Sequence, residues 1–309
     1  MDEYIRYLHD WLGPYNPANP ANHEGLETPP TQITLDPQSP QWHIIQTFQD
    51  LLESRCEPQD AAERLADIVR WTTHILTCYN NMWGCFFKAA EHFSDMETLS
   101  KLTDLLACLA SLPGSINTIR DPDDPSKKPI IIDDETDVEI FWKDLPEFSM
   151  NLSERMQGPE AYLAFNATPE DAKRKWTNMN TFVALLVRNH GAAFPKLFGG
   201  LVVFAFWTFA ASLECPPDSL FGKNMPLRLP ACCRWILLVG DVVREKMVQG
   251  YQGKPRTASV GELWGNPVEV REVDGARWAF WKSRFEALSK DSRLDAETAD
   301  TALQVLKLM

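Results

Sequence analysis

Glycine is scarce in this chain, and acidic residues outnumber basic ones. Of the 309 residues 15 are glycine, and 43 acidic side chains oppose 30 basic ones, so the formal net charge is -13. A phosphate backbone would repel such a surface, so we expect no nucleic-acid partner. The sequence also lacks a glycine-rich nucleotide loop, an HExxH zinc motif and a nucleophile elbow. These absences exclude the enzyme classes that such motifs mark, but not enzymes that work without a cofactor.

Cysteine and histidine give no sign of disulfide or metal chemistry. The seven cysteines are an odd number without CxxC spacing, and the six histidines lack the spacing of metal ligands. We interpret the cysteines as small buried hydrophobic residues of a reduced protein, and we expect no cofactor. The segment Met1–Arg6 is charged and lacks the apolar stretch of a secretory signal, so we expect a cytoplasmic protein.

One uncharged stretch, Leu197–Leu213, is just long enough to raise the question of a membrane helix. Its length lies at the short end of the transmembrane range. A helix that is buried on all sides in a protein core gives the same pattern. Because no other segment is comparably apolar, we interpret it as a core helix and expect no membrane span.

Apolar residues recur at helical spacing along most of the chain, whereas strand patterns are almost absent. The clearest helix is predicted over Pro169–His190, with Thr168 as its N-cap and Gly191 directly after its end. In total the periodicity predicts about eight to ten helices. The fold class is therefore predicted to be all-α.

The predicted helices form a single irregular bundle over residues 39–309, because no shift in composition marks a domain boundary. Prolines and charged residues near positions 113–130 predict an exposed loop within it. Residues 1–38 are predicted to form a short helix followed by a proline-rich arm, since seven prolines fall between Pro14 and Pro40.

Four short motifs occur in an order that resembles a family of uncharacterised, mostly fungal helical proteins, catalogued as a domain of unknown function. Together they cover most of the chain. The resemblance implies an all-helical fold and an intracellular fungal protein, and it implies no activity and no catalytic residue. The motifs are Phe141–Phe148, Trp176–Leu185 with Asn180, Phe182 and Ala184, Trp235-Ile236 with Gly240, and Leu263-Trp264-Gly265 followed by Arg277-Trp278 and Trp281-Lys282.

An acidic run is similar to the aspartate-rich DDxxD motif of class I terpene synthases. Asp133, Asp134 and Asp137 stand at its three positions. The resemblance implies Mg²⁺ binding and diphosphate chemistry, and carboxylate oxygens at positions i and i+4 of a helix suit that ion. The second metal motif of that family has no match here. A solvated acidic turn remains the alternative interpretation.

Two polar residues interrupt an apolar stripe on the clearest predicted helix. Trp176, Asn180, Val183, Val187 and His190 follow one another by three or four residues and therefore share a face. His190 could act as a general base, or it could simply sit favourably at a helix C-terminus. Asn180 could serve a catalytic site, or it could make a core hydrogen bond that fixes packing.

Glu214 ends the apolar segment, where a carboxylate faces the unfavourable end of a helix dipole. It therefore needs a cation or a proton. It is a third candidate catalytic residue if its pKa is raised. The alternative is a structural ion pair with an arginine such as Arg228 or Arg234.

Aromatic residues are abundant and suggest a pocket for an apolar ligand. The candidate ligand-binding residues are Trp176, Phe204, Trp207, Trp278 and Trp281. Aromatic residues at helical spacing also occur in solid cores, so both interpretations stay open.

These patterns lead to three hypotheses about function. The first is a helical protein with an aromatic-lined pocket that binds, or converts without a cofactor, an apolar natural-product-like molecule. As an enzyme it would belong to a cyclase, isomerase or lyase class. The second is a non-catalytic module that presents a helix face or its proline-rich arm to a protein partner. The third is Mg²⁺-dependent diphosphate chemistry at the acidic run.

Overall fold

A computed structural model describes residues 1–12, 35–72, 75–116, 139–140, 142–249, 261–265 and 274–309. The described part of the chain is dominated by thirteen α-helices, which confirms the all-α fold class. It divides into two compact units, Met1–Leu152 and Ser153–Met309. The predicted proline-rich arm and most of the predicted loop near 113–130 lie outside the described residues. The prediction of one helical bundle over residues 39–309 stays a prediction.

Unit 1 contains five complete helices and the start of a sixth. Its only described strands are β1, Ser115–Ile116, and β2, Glu139–Ile140, which pair antiparallel with Ser115 opposite Ile140. A 3-10 turn, Trp142–Asp144, follows. The helices are α1 (Asp2–Leu12), α2 (Pro40–Leu52), α3 (Pro58–Trp71), α4 (Ile75–His92), α5 (Met96–Ser111) and α6 (Phe148–Arg155), and the boundary between the units falls within α6.

An aromatic cluster fills the core of unit 1. The Phe87 and Phe148 rings stack with centroids 5.6 Å apart, and Phe148 meets Trp83 edge-on at 5.3 Å. The indole Nε1 of Trp83 donates a hydrogen bond to the carbonyl of Pro146 at 2.7 Å. This indole therefore has its hydrogen-bond partner inside the unit, and the cluster is solid core.

Unit 2 is built around two long helices that pack along each other, α8 and α11. Helix α9 packs on α11, and α13 contacts both α11 and α12. A 3-10 turn, Gly199–Val202, leads directly into α9. The helices are α7 (Pro159–Ala164), α8 (Pro169–His190), α9 (Val203–Leu213), α10 (Leu220–Lys223), α11 (Met225–Val248), α12 (Gly275–Leu288) and α13 (Ala296–Leu306).

Capping residues explain where α8 begins and ends. The Thr168 hydroxyl accepts a hydrogen bond from the backbone N–H of Asp171 at 3.2 Å, and Pro169 occupies the first turn. The helix ends at His190 as predicted, but Gly191 keeps a right-handed conformation. A Cβ on Gly199 would lie 2.9 Å from the Gly191 carbonyl oxygen, so small residues allow a close approach of the two backbones here.

Helix α11 begins earlier than the proline content of its first turns indicates. Residues 215–230 are rich in proline and are expected to be loop, yet Met225 already starts the helix. Pro226 lies in the first turn, where a backbone N–H has no helical acceptor. Pro230 lies inside the helix, and Val239 leaves helical geometry at a kink (φ -144°, ψ 27°). The helix therefore tolerates both prolines and bends further on.

The uncharged segment that raised the membrane question consists of the 3-10 turn and α9, both rich in buried residues. Among the described residues, none of the helices combines the length and apolarity that crossing a membrane requires.

Candidate functional site

Unit 2 contains a cavity of about 410 Å³, a size that suits a small organic ligand. Side chains of α6, α8, α9, α10 and α11 line it, together with the turns after α6 and α9 and the short segment at Gly261. Most of its lining is apolar or aromatic. The lining residues are Ser153, Met156, Gln157, Trp176, Trp207, Thr208, Ala210, Ala211, Cys215, Phe221, Arg228 and Gly261.

Two tryptophans of the cavity have indole N–H groups without an acceptor among the described residues. Trp176 is 2% exposed and comes from the apolar stripe of α8. Trp207 comes from α9, and its ring meets Phe204 edge-on at 5.1 Å. The Nε1 atoms of both are buried with no hydrogen-bond partner. An unsatisfied buried donor costs about 1–3 kcal/mol, so each indole N–H needs an acceptor that the described residues do not supply.

Arg228 is the charged residue of the described lining, and Glu160 neutralises it. The Arg228 Nε donates to Glu160 Oε1 at 2.9 Å, and Nη2 donates to Oε2 of the same carboxylate. Asn224 donates a further hydrogen bond to Glu160 Oε1 at 3.0 Å. The guanidinium also lies over the Phe221 ring, 4.3 Å from its centroid. This bidentate pair removes the net charge from that wall of the cavity.

Asn180, a candidate catalytic residue, is the centre of a buried hydrogen-bond network. Its Oδ1 accepts from the Thr208 hydroxyl at 2.9 Å and from the Trp235 indole N–H at 2.8 Å. Its Nδ2 donates to the Trp176 carbonyl at 2.9 Å. The amide thereby ties α8 to α9 and α11. These hydrogen bonds match the second of the two sequence-based interpretations of Asn180, in which its amide fixes the packing of the core.

Glu214, a second candidate catalytic residue, is fully buried in another network. Arg277 donates to its two carboxylate oxygens at 2.7 and 2.9 Å, and the Trp281 indole donates to Oε1 at 2.6 Å. The backbone N–H of Gly261 donates to Oε2 at 2.8 Å. The carboxylate has the ion pair that its position demands, but the partner is Arg277 rather than Arg228 or Arg234.

Gly261 joins the Glu214 network to the cavity wall. A Cβ at this position would lie 2.4 Å from the Glu214 Cβ, so the close contact requires glycine. The neighbouring Leu263 N–H donates to the Glu214 carbonyl at 2.9 Å. Gly261 also lines the cavity, whereas Glu214 does not. Glu214 therefore holds this part of the cavity wall in place through its hydrogen bond to Gly261.

The other sequence-predicted site residues are spread over unit 2. Trp176 and Trp207 line the cavity, whereas Phe204, Trp278, Trp281 and His190 are not among its lining residues. The Trp281 ring packs against Phe206 and Phe209. His190 is half-buried at the end of α8, with its ring 6.4 Å from that of Phe198. The catalytic and ligand-binding candidates therefore do not converge on one described pocket.

Cys215 is the one thiol among the described lining residues. Burial raises the pKa of Cys215 to about 11, and Glu214, Glu262 and Glu160 also act to raise it, while Arg228 acts to lower it. The thiol is consequently protonated at neutral pH and is a poor nucleophile there. It contributes apolar surface and a weak donor to the cavity.

Sequence reasoning missed Arg228, Phe221 and Met156 as lining residues. One signal was available, because Arg228 is an isolated charge in the apolar stretch that opens α11. An isolated charge in such a stretch indicates a buried partner. No pattern in the sequence indicated that this partner is Glu160, 68 residues earlier.

The acidic run gives no structural test of metal chemistry. Asp133, Asp134 and Asp137 lie outside the described residues. Within the described ranges, no group of three or more His, Cys, Asp or Glu side chains could hold a metal ion. Magnesium-dependent chemistry at this run therefore stays a prediction.

Unit 1 has two grooves of about 550 and 510 Å³ that share the half-exposed Trp71. The larger one lies between α2 and α3 and contains Asp50 and Arg64, which form an exposed ion pair at 2.8 Å. Solvated pairs of this kind are common on protein surfaces and carry little energy. The cavity of unit 2 is the stronger candidate site, since its unsatisfied polar atoms are buried.

The fold and the cavity define an all-α protein with buried aromatic clusters. The chain belongs to the family described as "Protein of unknown function (DUF3632)", whose model matches residues 83–285. The predicted resemblance to an uncharacterised helical family is therefore confirmed, and the matched region contains every lining residue of the cavity. No curated protein and no solved structure matches this chain. Fungal origin, similarity to terpene synthases and a cytoplasmic location stay predictions.

Proposed function

We propose that unit 2 is a binding module for a flat, largely apolar small molecule, which it holds in the cavity between α8, α9, α10 and α11. The observation that carries this proposal is the pair Trp176 and Trp207. Both line the cavity, and both bury an indole N–H that no described residue accepts. A cavity of about 410 Å³ with aromatic walls is suited to such a ligand.

Binding is favoured over conversion by the state of the polar groups near the cavity. The atoms of Asn180 and Glu214 are occupied by hydrogen bonds within the protein. Arg228 is paired with Glu160, and burial keeps the Cys215 thiol protonated. The described lining thus offers no free base or nucleophile that could move a proton or attack a ligand.

A fluorescence titration with N-phenyl-1-naphthylamine tests the proposal. This probe is flat and uncharged, and its emission rises when it leaves water. We expect it to bind to the wild-type protein at one site. The variant Ala211→Phe, which fills space in the cavity, should weaken binding by about tenfold or more.

The matched control is Ala279→Phe, which places the same side chain at an exposed position of α12. It should leave binding unchanged, and circular dichroism should show both variants folded. No binding to the wild type, or an equal effect of the two substitutions, would refute the proposed function.

A further inference from the structure

The buried side-chain polar atoms of the described lining that have no partner are both donors. The Nε1 atoms of Trp176 and Trp207 have no acceptor among the described residues. Trp142, Trp264 and Trp278 also bury an Nε1 atom without a described partner, but they do not line this cavity. The indoles of Trp235 and Trp281 donate to Asn180 and Glu214.

None of the described polar groups around the cavity accepts a hydrogen bond from these two indoles. Both Glu160 oxygens already accept from Arg228, and one also accepts from Asn224. The Thr208 hydroxyl donates a hydrogen bond to Asn180, and neither indole N–H donates to it. A ligand that brings its own acceptor would therefore complete bonds that the described part of the cavity leaves unmade.

The charge of the cavity argues against an anion as that ligand. Arg228 is the sole charged residue of the described lining, and its pairing with Glu160 leaves no net positive charge to compensate a buried carboxylate. Burying an uncompensated charge is far more costly than burying a neutral carbonyl group that is hydrogen-bonded.

We propose that the cavity selects uncharged aromatic carbonyl compounds, whose carbonyl oxygen accepts hydrogen bonds from the indole N–H groups of Trp176 and Trp207. This inference rests on the proposed function, since it names the class of ligand for the same cavity. The aromatic body lies against the apolar walls, and the carbonyl supplies the acceptor that the described walls lack.

The test compares two dyes with similar aromatic bodies. The first is 6-propionyl-2-dimethylaminonaphthalene, a neutral ketone whose emission moves to longer wavelength when its carbonyl accepts a hydrogen bond. The second is N-phenyl-1-naphthylamine, which has no carbonyl. Each is titrated against the wild type and against Trp176→Phe and Trp207→Phe, which keep an aromatic ring but remove the N–H.

We expect each substitution to weaken the binding of the ketone by about tenfold and to move the emission of the bound ketone to shorter wavelength. The affinity of the carbonyl-free dye should change much less. The carbonyl-free dye reports the ring volume lost in both variants. If the binding of both dyes weakens equally and the emission of the bound ketone does not move, the inference is wrong, although the proposed function survives. If both dyes bind the Ala211→Phe variant as tightly as the wild type, the proposed function fails and this inference fails with it.

Discussion

The buried polar residues of unit 2 differ in whether their polar atoms have hydrogen-bond partners. The amide of Asn180 and the carboxylate of Glu214 are enclosed in apolar surroundings, and several donors satisfy each of them. Such saturated groups specify packing, because the loss of any partner removes a buried hydrogen bond from the network. Trp176 and Trp207 are the opposite case, since each carries a buried donor without a described acceptor.

This difference predicts unequal costs for the same substitution at two buried tryptophans. Trp176→Phe and Trp235→Phe remove the same volume from side chains that are 2% and 0% exposed. Trp235→Phe also breaks the bond to Asn180, whereas Trp176→Phe removes an N–H that has no described acceptor. We expect Trp235→Phe to lower the free energy of unfolding by about 1–2 kcal/mol more than Trp176→Phe.

Urea denaturation of the ligand-free variants, followed by circular dichroism, measures both costs. The wild type serves as the common reference, and the slope of the transition should stay the same. Equal losses for the two variants, or a larger loss for Trp176→Phe, would show that the Trp176 indole has an acceptor after all.

At the same scale, the sequence predicts which residues are buried better than which residues they meet. The helical spacing of Trp176, Asn180 and Val183 correctly places all three on the inner face of α8. It does not indicate that Asn180 meets Thr208 and Trp235, because partners that lie 28 and 55 residues away depend on how the helices pack. The same reason explains why Arg277 was not expected as the partner of Glu214.

At the scale of the element, a capping side chain marks where several helices begin. Ser39 accepts from the Trp42 N–H and Asp95 accepts from the Thr98 N–H, and α2 and α5 begin directly after these residues. Helix breaks are harder to predict from periodicity. The helical spacing of apolar residues between Leu65 and Tyr79 predicts that the helix starting at Pro58 runs on as one long helix, yet α3 ends at Trp71 and α4 begins at Ile75. Short helices such as α10 contain too few turns to show a period.

The N-cap of α13 has a predictable dependence on pH. The Asp295 carboxylate caps α13 by accepting a hydrogen bond from the Thr298 N–H, and it also pairs with Lys173 of α8. The hydrogen bond from Lys173 is the main reason why the pKa of Asp295 is lowered to about 2. Because this pKa lies below its unfolded value of about 3.9, the stabilisation is present above pH ~4 and is lost as the pH falls towards 2. The side chain is 52% exposed, so the effect is small.

We therefore expect Asp295→Asn, which keeps a capping oxygen but removes the charge, to lower the free energy of unfolding at pH 7 by up to about 1 kcal/mol. The difference from the wild type should shrink between pH 4 and pH 2, as the wild-type carboxylate is protonated. Denaturation across this range measures it, and the exposed Asp300→Asn on the same helix is the control. A difference that stays constant down to pH 2 would exclude the ion pair as its source.

At the scale of the whole molecule, the fold class follows from the sequence, but the site does not. Helical periodicity and the lack of strand patterns suffice to predict an all-α protein. The cavity draws on separate parts of the chain, from Ser153 to Gly261. No periodicity within one helix could assemble it. Two of its aromatic residues, Trp176 and Trp207, were nevertheless predicted as ligand-binding candidates from their spacing and type.

The family match covers the cavity but does not indicate its function. The family model covers residues 83–285, which includes all the cavity residues and α8, α9 and α11 in full. The family is described without an activity, so the proposed function rests on the described side chains of this chain. The decisive atoms are two indole nitrogens, and they can be observed directly.

The most direct measurement is a ¹⁵N–¹H spectrum of protein labelled at its 11 tryptophans, recorded with and without 6-propionyl-2-dimethylaminonaphthalene. Single Trp→Phe variants assign the indole signals by removing them one at a time. We predict that the Trp176 and Trp207 indole protons move downfield as they acquire an acceptor, whereas those of Trp235 and Trp281 stay in place. Unchanged signals for Trp176 and Trp207 at saturating dye, or larger shifts at other indoles, would contradict binding in this cavity.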